Sequence, residues 1–175
     1  DVYKRQKFRA VVARGNYMSI DRSDTRFAVK ELARRMAKPR NVDWKQLVHF
    51  GRYLLGKPRV VNQFCYQKDW KIMDVWSDTD HAGCKEIRKS TTGGVVMFGN
   101  HVVKHWSSTQ TLISLSSGEA EYYGCVRASA HGLGIKSMLA DLGVTGKRLR
   151  IKTDASVAKS LATVSYTHLT LPTTA

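Results

Sequence analysis

The 175 residues include only three cysteines, Cys65, Cys84 and Cys125, scattered and without a Cys-x-x-Cys pair. That spacing argues against a disulfide framework or a cysteine-based zinc site, and it suits a reducing compartment. No apolar run approaches the roughly 20 residues that a membrane-spanning helix needs, and no signal peptide is evident. Acidic residues are scarce as well: 14 against 29 lysines and arginines, a formal charge of +15. A surplus of this size favours a polyanionic partner, and phosphate backbones are the commonest one. With 42% hydrophobic residues, the chain is long enough for one domain, or for one domain and part of another, with a real core.

The two ends stand apart from the rest. Asp1-Val2-Tyr3-Lys4-Arg5-Gln6 can be encoded by a DNA whose reverse complement, in a shifted frame, spells Val164-Ser165-Tyr166-Thr167-His168. That DNA resembles the transposase-end adapter of sequencing libraries, and Leu169 to Thr174 fits its continuation. Residues 1–6 and 164–175 are therefore expected to be adapter-derived tails. Lys7 to Thr163 is then expected to be an internal piece of a longer protein.

The first section reads as helical. Phe27, Ala28, Leu32 and Met36 recur at helical spacing after Asp24, and Lys38-Pro39 marks a stop. A second helix is capped by Asn41 or Asp43, carries an apolar stripe of Trp44, Leu47, Val48 and Leu55, and ends at Gly56 and Pro58. Its Lys45, Arg52 and Lys57 can track a nucleic-acid backbone or simply form a solvated face. Val60 to Tyr66 has weak strand character, and Gln67-Lys68-Asp69 reads as a linker.

From Trp70 the pattern changes to strands. Ile72–Asp78 is the first, and Gly93–Phe98 and His101–Ser107 flank Gly99-Asn100, a two-residue hairpin signal. Ser116 with Glu119 three residues later forms a capping box that opens a long helix, running to about Leu142 and ending at Gly143. Leu149–Thr153 is a fourth strand. Ala155, Ala158, Leu161 and Ala162 then open a further helix. The order is three antiparallel strands, helix, strand, helix.

Three acidic residues fall where this order can bring them together. Asp78 ends the first strand and Asp154 the fourth; if those strands are parallel neighbours, both emerge at one edge, where the strand order reverses. Glu121, in the first turns of the long helix, can face the same edge. Clustered carboxylates raise one another's pKa and need a cation, and hard oxygen ligands suit Mg²⁺ or Mn²⁺. Two such ions about 4 Å apart can activate water and stabilise the leaving oxygen of a phosphodiester. The competing structural roles are a turn or helix cap for Asp154 and a helix-dipole partner for Glu121.

Five motifs in order carry a family resemblance: Trp76-Ser77-Asp78-Thr79-Asp80-His81-Ala82-Gly83, Arg88 to Gly94, Trp106-Ser107-Ser108, Ser114 to Tyr122, and Thr153-Asp154. They resemble the ribonuclease H domain of copia-type retrotransposon polyproteins. Upstream, Tyr17 to Asp24, Phe27-Ala28-Val29, and Trp44 through Arg52-Tyr53-Leu54 are similar to the end of the same family's reverse transcriptase. The resemblance implies an α/β fold with a ribonuclease H-like mixed sheet, cut short before its last strand and helix and preceded by a small helical segment. Residues 7–66 would be the end of the reverse transcriptase and 70–163 the ribonuclease H-like domain.

It also implies that Asp78, Glu121 and Asp154 are three of four metal-binding carboxylates holding two Mg²⁺ or Mn²⁺ ions. Glu121 is preferred to Glu119 because it precedes Tyr122-Tyr123-Gly124. The fourth carboxylate would lie beyond Thr163, so this chain itself is expected to be weak or inactive. Three departures from the family pattern are His81 for Trp, Thr109 for Lys and Ala155 for Asn; the polymerase's paired aspartates are absent. The implied partners are an RNA·DNA hybrid and the remaining Pol polyprotein with its reverse transcriptase and integrase, with no membrane. The implied location is a cytoplasmic virus-like particle or the nucleus.

Lys85, Arg88, Lys89 and Ser90, between the first two strands, and Lys104 are candidate phosphate contacts. His105 and Trp106 can add basic or stacking contacts, Trp106 more naturally packing on the sheet; Ser107 and Ser108 are weaker hydrogen-bonding candidates. Lys147, Arg148, Arg150 and Lys152 add charge near the fourth strand. The main alternative is a basic nucleic-acid-binding remnant without catalysis. A transposase or integrase is a third reading, which the Ser116-to-Tyr122 stretch disfavours.

Overall fold

The structure, a computed structural model, describes residues 2–68, 70–84 and 86–154 together with Ser156 and Ser160. The chain divides into two compact units between Cys65 and Tyr66.

The first unit is helical: α1 (Val2–Met18), a 3₁₀ turn (Ser23–Thr25), α2 (Arg26–Ala33) and α3 (Asn41–Gly56). Residues 2–6, set aside above, continue α1 at its start. Phe8, Val12, Val29, Leu32, Leu47 and Phe50 form the core, with the Trp44 ring edge-on to Phe8. Gly15 faces Val29 and Phe50, so α1 can sit close to both.

The buried stripe of α3 differs from the expected one. Asp43, Leu47 and Phe50 are buried, whereas Val48 and Leu55 are exposed. A fully buried aspartate hides this register from hydropathy. Asp43 is tolerated because Arg35 and Arg40 pair with it and because it accepts the Arg40 backbone N–H at 2.7 Å. The N-cap position therefore belongs to Arg40, in an extended conformation, with Asp43 reaching back to it from the third helical residue. At the other end, Arg22 donates to the Lys57 carbonyl at 2.9 Å and to Asp24, and Asp24 accepts from Tyr53 at 2.6 Å. Arg22 first, then Tyr53, holds the Asp24 carboxyl below its ordinary range. Val60–Tyr66 forms no strand; it is exposed, and among the described residues no strand pairs with it to supply the context on which β-propensity depends.

The second unit is an α/β layer: β1 (Ile72–Asp80), β2 (Thr91–Phe98), β3 (His101–Thr109), α4 (Ser117–Asp141) and β4 (Arg148–Lys152). The sheet order is β3-β2-β1-β4, antiparallel except for the parallel β1–β4 pair. Gly99, at φ +57°, makes the hairpin turn. Gln67, expected in a linker, holds that turn instead: its amide donates to the Phe98 carbonyl at 3.0 Å and accepts the Asn100 N–H at 2.9 Å. The helix expected after β4 lies almost wholly outside the described residues. Among the described residues, no helix is long and apolar enough to cross a membrane.

β1 alternates. Met73, Val75, Ser77 and Thr79 are buried, while Trp76, Asp78 and Asp80 on the other face are exposed. α4 meets the buried face through Ala120, Gly124, Ala128 and Gly132, small residues one turn apart that permit close helix–sheet approach. Beside them, the Trp106 indole on β3 lies over Gly94 on β2, where a Cβ would overlap its six-membered ring. Gly94→Ala is therefore expected to cost about 1–3 kcal/mol through overpacking. Urea unfolding would measure it, and adding Trp106→Leu should recover part of the loss.

Candidate metal centre

The parallel pairing of β1 and β4 positions the site. Trp76 is level with Lys152, and continuing that register two residues brings Asp78 level with Asp154. Asp78 lies within β1 and Asp154 just past the end of β4, so neither is the last residue of its strand. Glu121 arrives from α4, whose start carries half of the expected capping box: the Ser116 hydroxyl accepts the Glu119 N–H at 3.1 Å, while the Glu119 carboxylate reaches past the Ser116 N–H to that of Leu115. Glu119 is itself occupied, accepting from Leu115 N–H at 2.7 Å and from the Tyr123 hydroxyl at 3.0 Å. Glu121 is directed to the sheet edge.

One carboxylate oxygen from each of Asp78, Glu121 and Asp154 lies within 4.8 Å of the other two. The Thr79 backbone N–H spans two of them, donating to Asp78 at 2.8 Å and to Glu121 at 3.2 Å. The second Glu121 oxygen is buried without a hydrogen-bond partner. Burial raises the Glu121 pKa, and the charge of Asp78 adds to the rise, with a smaller push from Asp154. Among the described residues no lysine or arginine pairs with any of the three. Three clustered carboxylates, two of them sharing one N–H and one carrying an orphaned oxygen, fit a divalent cation: it would supply the missing partner and the missing positive charge.

Asp74, on the same strand, shows the contrary arrangement. Arg150 grips it in a fork at 2.6 and 2.9 Å, and Lys152 adds a contact at 3.1 Å. Arg150 first, then Lys152, lowers its pKa. Arg150 and Lys152 are thus drawn into the sheet, Lys152 also lying 4.1 Å from the Trp76 ring centroid. Lys147 donates to the Trp70 carbonyl at 2.8 Å.

The candidate phosphate contacts separate. Lys85 lies outside the described residues. Arg88, at φ +54°, and Lys104 are exposed. Lys89 donates to the Thr111 carbonyl, bracing the loop before α4. Ser90 is fully buried; its hydroxyl accepts the Ala82 N–H and shares a hydrogen bond with Ser114, so it shapes the loop from inside. Trp106 is buried too, its ring centroid 4.5 Å from that of His131. Burial, then the charges of Lys104 and Arg127, lowers the His131 pKa. Sequence reasoning missed Thr79 and Gln110. Gln110 is buried and donates to Thr92 and to the Ala120 carbonyl, tying β2 to the start of α4; no local pattern announces either role.

Curated relatives cover most of this chain. The retrovirus-related Pol polyprotein from transposon RE2 of Arabidopsis thaliana is 31% identical over 138 residues, 79% of the chain and 9% of that protein. Its counterpart from transposon RE1 of the same plant is 31% identical over 140 residues, with the same shares. The chain belongs to the Pol polyproteins of copia-type retrotransposons. The Pol polyprotein from transposon TNT 1-94 of Nicotiana tabacum extends the match to 151 residues at 28% identity, 86% of the chain and 11% of that protein. This Pol segment therefore spans about a tenth of the length of these relatives. No protein-family profile and no solved structure matches it.

Proposed function

We propose that the second unit is a ribonuclease H-like nuclease that hydrolyses the RNA strand of RNA·DNA hybrids during reverse transcription. The observation that carries this reading is the Asp78–Glu121–Asp154 trio with its orphaned, buried Glu121 oxygen. The ordered motifs from Trp76 to Asp154 and the Pol relationship support it. Bound Mg²⁺ or Mn²⁺, held by these three residues, would supply the Lewis acidity that activates water and stabilises a departing oxygen. The protein's part is positioning. Exposed Asp78 and Asp154 face solvent, Glu121 approaches from the helix side, and the Thr79 N–H fixes the spacing of Asp78 and Glu121. Arg88 and Lys104 remain exposed to meet phosphates, while 2′-hydroxyls would distinguish the RNA strand.

End-labelled RNA, presented as an RNA·DNA hybrid and as an RNA·RNA duplex, tests the reading. The expected result is slow cleavage of the hybrid alone, dependent on Mg²⁺ or Mn²⁺ and absent in Asp78→Asn and Asp154→Asn. Hybrid binding without cleavage at any metal concentration would overturn it for this chain and leave a nucleic-acid-binding remnant.

A further inference from the structure

The helical unit has an open cavity of about 660 Å³ between α2 and α3. Buried Leu32 and Phe50 form its floor with Ala28, and Phe27, Val42 and Tyr53 stand round it, 57%, 48% and 36% exposed. Phe8 and Val12, which α1 supplies to the core, do not line it. An exposed apolar hollow with a polar rim is characteristic of a surface that a protein partner covers.

The rim decides what kind of partner. On the α2 side the acids are already matched, Asp24 by Arg22 and Glu31 by Lys30 and Arg34. Asp43, buried at the start of α3, is held by Arg35 and Arg40. Lys45 and His49 line the α3 side and are exposed, and among the described residues no ion pair engages either. The uncommitted charge of the rim is therefore positive. Its two groups stand four residues apart on one helix, about 6 Å along the axis.

We propose that this cavity docks an amphipathic α-helix of a protein partner. Apolar side chains at i, i+3 or i+4, and i+7 would sit on the Leu32–Phe50 floor, and two carboxylates four residues apart would face Lys45 and His49. The dimensions agree. From Ala28 to Arg35, the stretch of chain along the cavity, a helix rises about 10 Å, two turns, and that is the span over which grooves read an apolar helix face. The apolar floor gives grip, and the unmatched Lys45 and His49 select an acidic flank and fix its register.

Two labelled peptides of about 18 residues, long enough to hold a helix, test this. They share one leucine stripe; glutamates flank it in the first and lysines in the second. Fluorescence anisotropy with the 175-residue chain at physiological salt should show the glutamate peptide binding about tenfold tighter. Lys45→Glu/His49→Glu should cancel that preference although the chain stays strongly basic. Phe27→Ala should weaken the glutamate peptide about tenfold, as loss of an aromatic anchor does. All three side chains are exposed, so these variants leave the fold in place. A preference that survives the double variant would overturn the proposal, because the general +15 charge would then account for it. Undiminished affinity in Phe27→Ala would also overturn it. So would self-association of the wild type that Phe27→Ala abolishes, which would make a second copy the occupant. Cleavage plays no part in this readout, so failure of the nuclease reading leaves the result standing.

Discussion

Glu121→Gln is expected to stabilise the metal-free protein while abolishing both the proposed stabilisation by Mg²⁺ and the proposed cleavage of hybrids. In the fold, the Glu121 charge is penalised by burial and by Asp78, and its second oxygen has no partner. A carboxyl whose pKa is raised on folding lowers stability wherever the unfolded chain would ionise it; the penalty is full above the folded pKa and disappears below the unfolded one. A glutamine carries no such charge, and its amide can donate to Asp78 or Asp154. The advantage of the variant should therefore be largest near neutral pH and shrink on acidification through the carboxylate range. With metal the order reverses. Wild type at about 100 times its dissociation constant gains about 2.7 kcal/mol, and each tenfold loss of affinity removes about 1.4 kcal/mol of that gain. Cleavage should fall by more than the roughly 10–100-fold typical of losing an outer partner of a metal site. Urea midpoints with chelator and with Mg²⁺ read both halves, and Glu119→Gln, altering a carboxylate committed to the helix start, should leave the metal response intact. A Glu121→Gln variant less stable than wild type in chelator, or one that still responds to Mg²⁺, would remove the repulsion argument.

What could be read from sequence here was what neighbouring residues decide. Gly99-Asn100 turns a hairpin because Gly99 takes a positive φ, and Ser116 caps α4 because the Glu119 N–H is three residues away. The four strands and the long helix follow from such punctuation, and the order of elements brings Asp78, Glu121 and Asp154 to one edge. The unread parts depend on partners distant in sequence. Arg150 lies 76 residues from Asp74, and only the β1–β4 register reveals that this aspartate is neutralised while Asp78 is not. Ser90 looks like a loop hydroxyl until Ser114, 24 residues on, encloses it. In α3 the misreading has a different source: a buried charge, Asp43, occupies the core-facing line, and hydropathy counts it as surface. Gln67 is the same problem in a polar residue, serving a turn 31 residues away.

Gly124→Val is expected to weaken the candidate metal centre, cutting the proposed cleavage by about 10²-fold without touching a carboxylate. A Cβ at Gly124 would lie 2.5 Å from the Thr79 hydroxyl and 3.1 Å from the Ser77 hydroxyl, both on β1. The Thr79 hydroxyl, the nearer of the two, sits on a β-branched carbon and cannot swing far aside. The helix must ride up instead. Glu121 is less than one turn away on the same helix and would move with it, while Asp78 and the Thr79 N–H stay with the sheet. A displacement near about 1 Å is enough for losses of about 10²-fold, and the overpacking itself should cost about 1–3 kcal/mol. Gly134→Ala is the control: its Cβ meets nothing within 4 Å, so it should raise stability by up to about 1 kcal/mol and leave the centre unchanged. Measuring Mg²⁺-induced stabilisation separates the two effects, because a merely destabilised Gly124→Val protein would keep the wild-type increment. If it does keep that increment, the small-residue ridge of α4 packs the fold but does not set the Asp78–Glu121 distance.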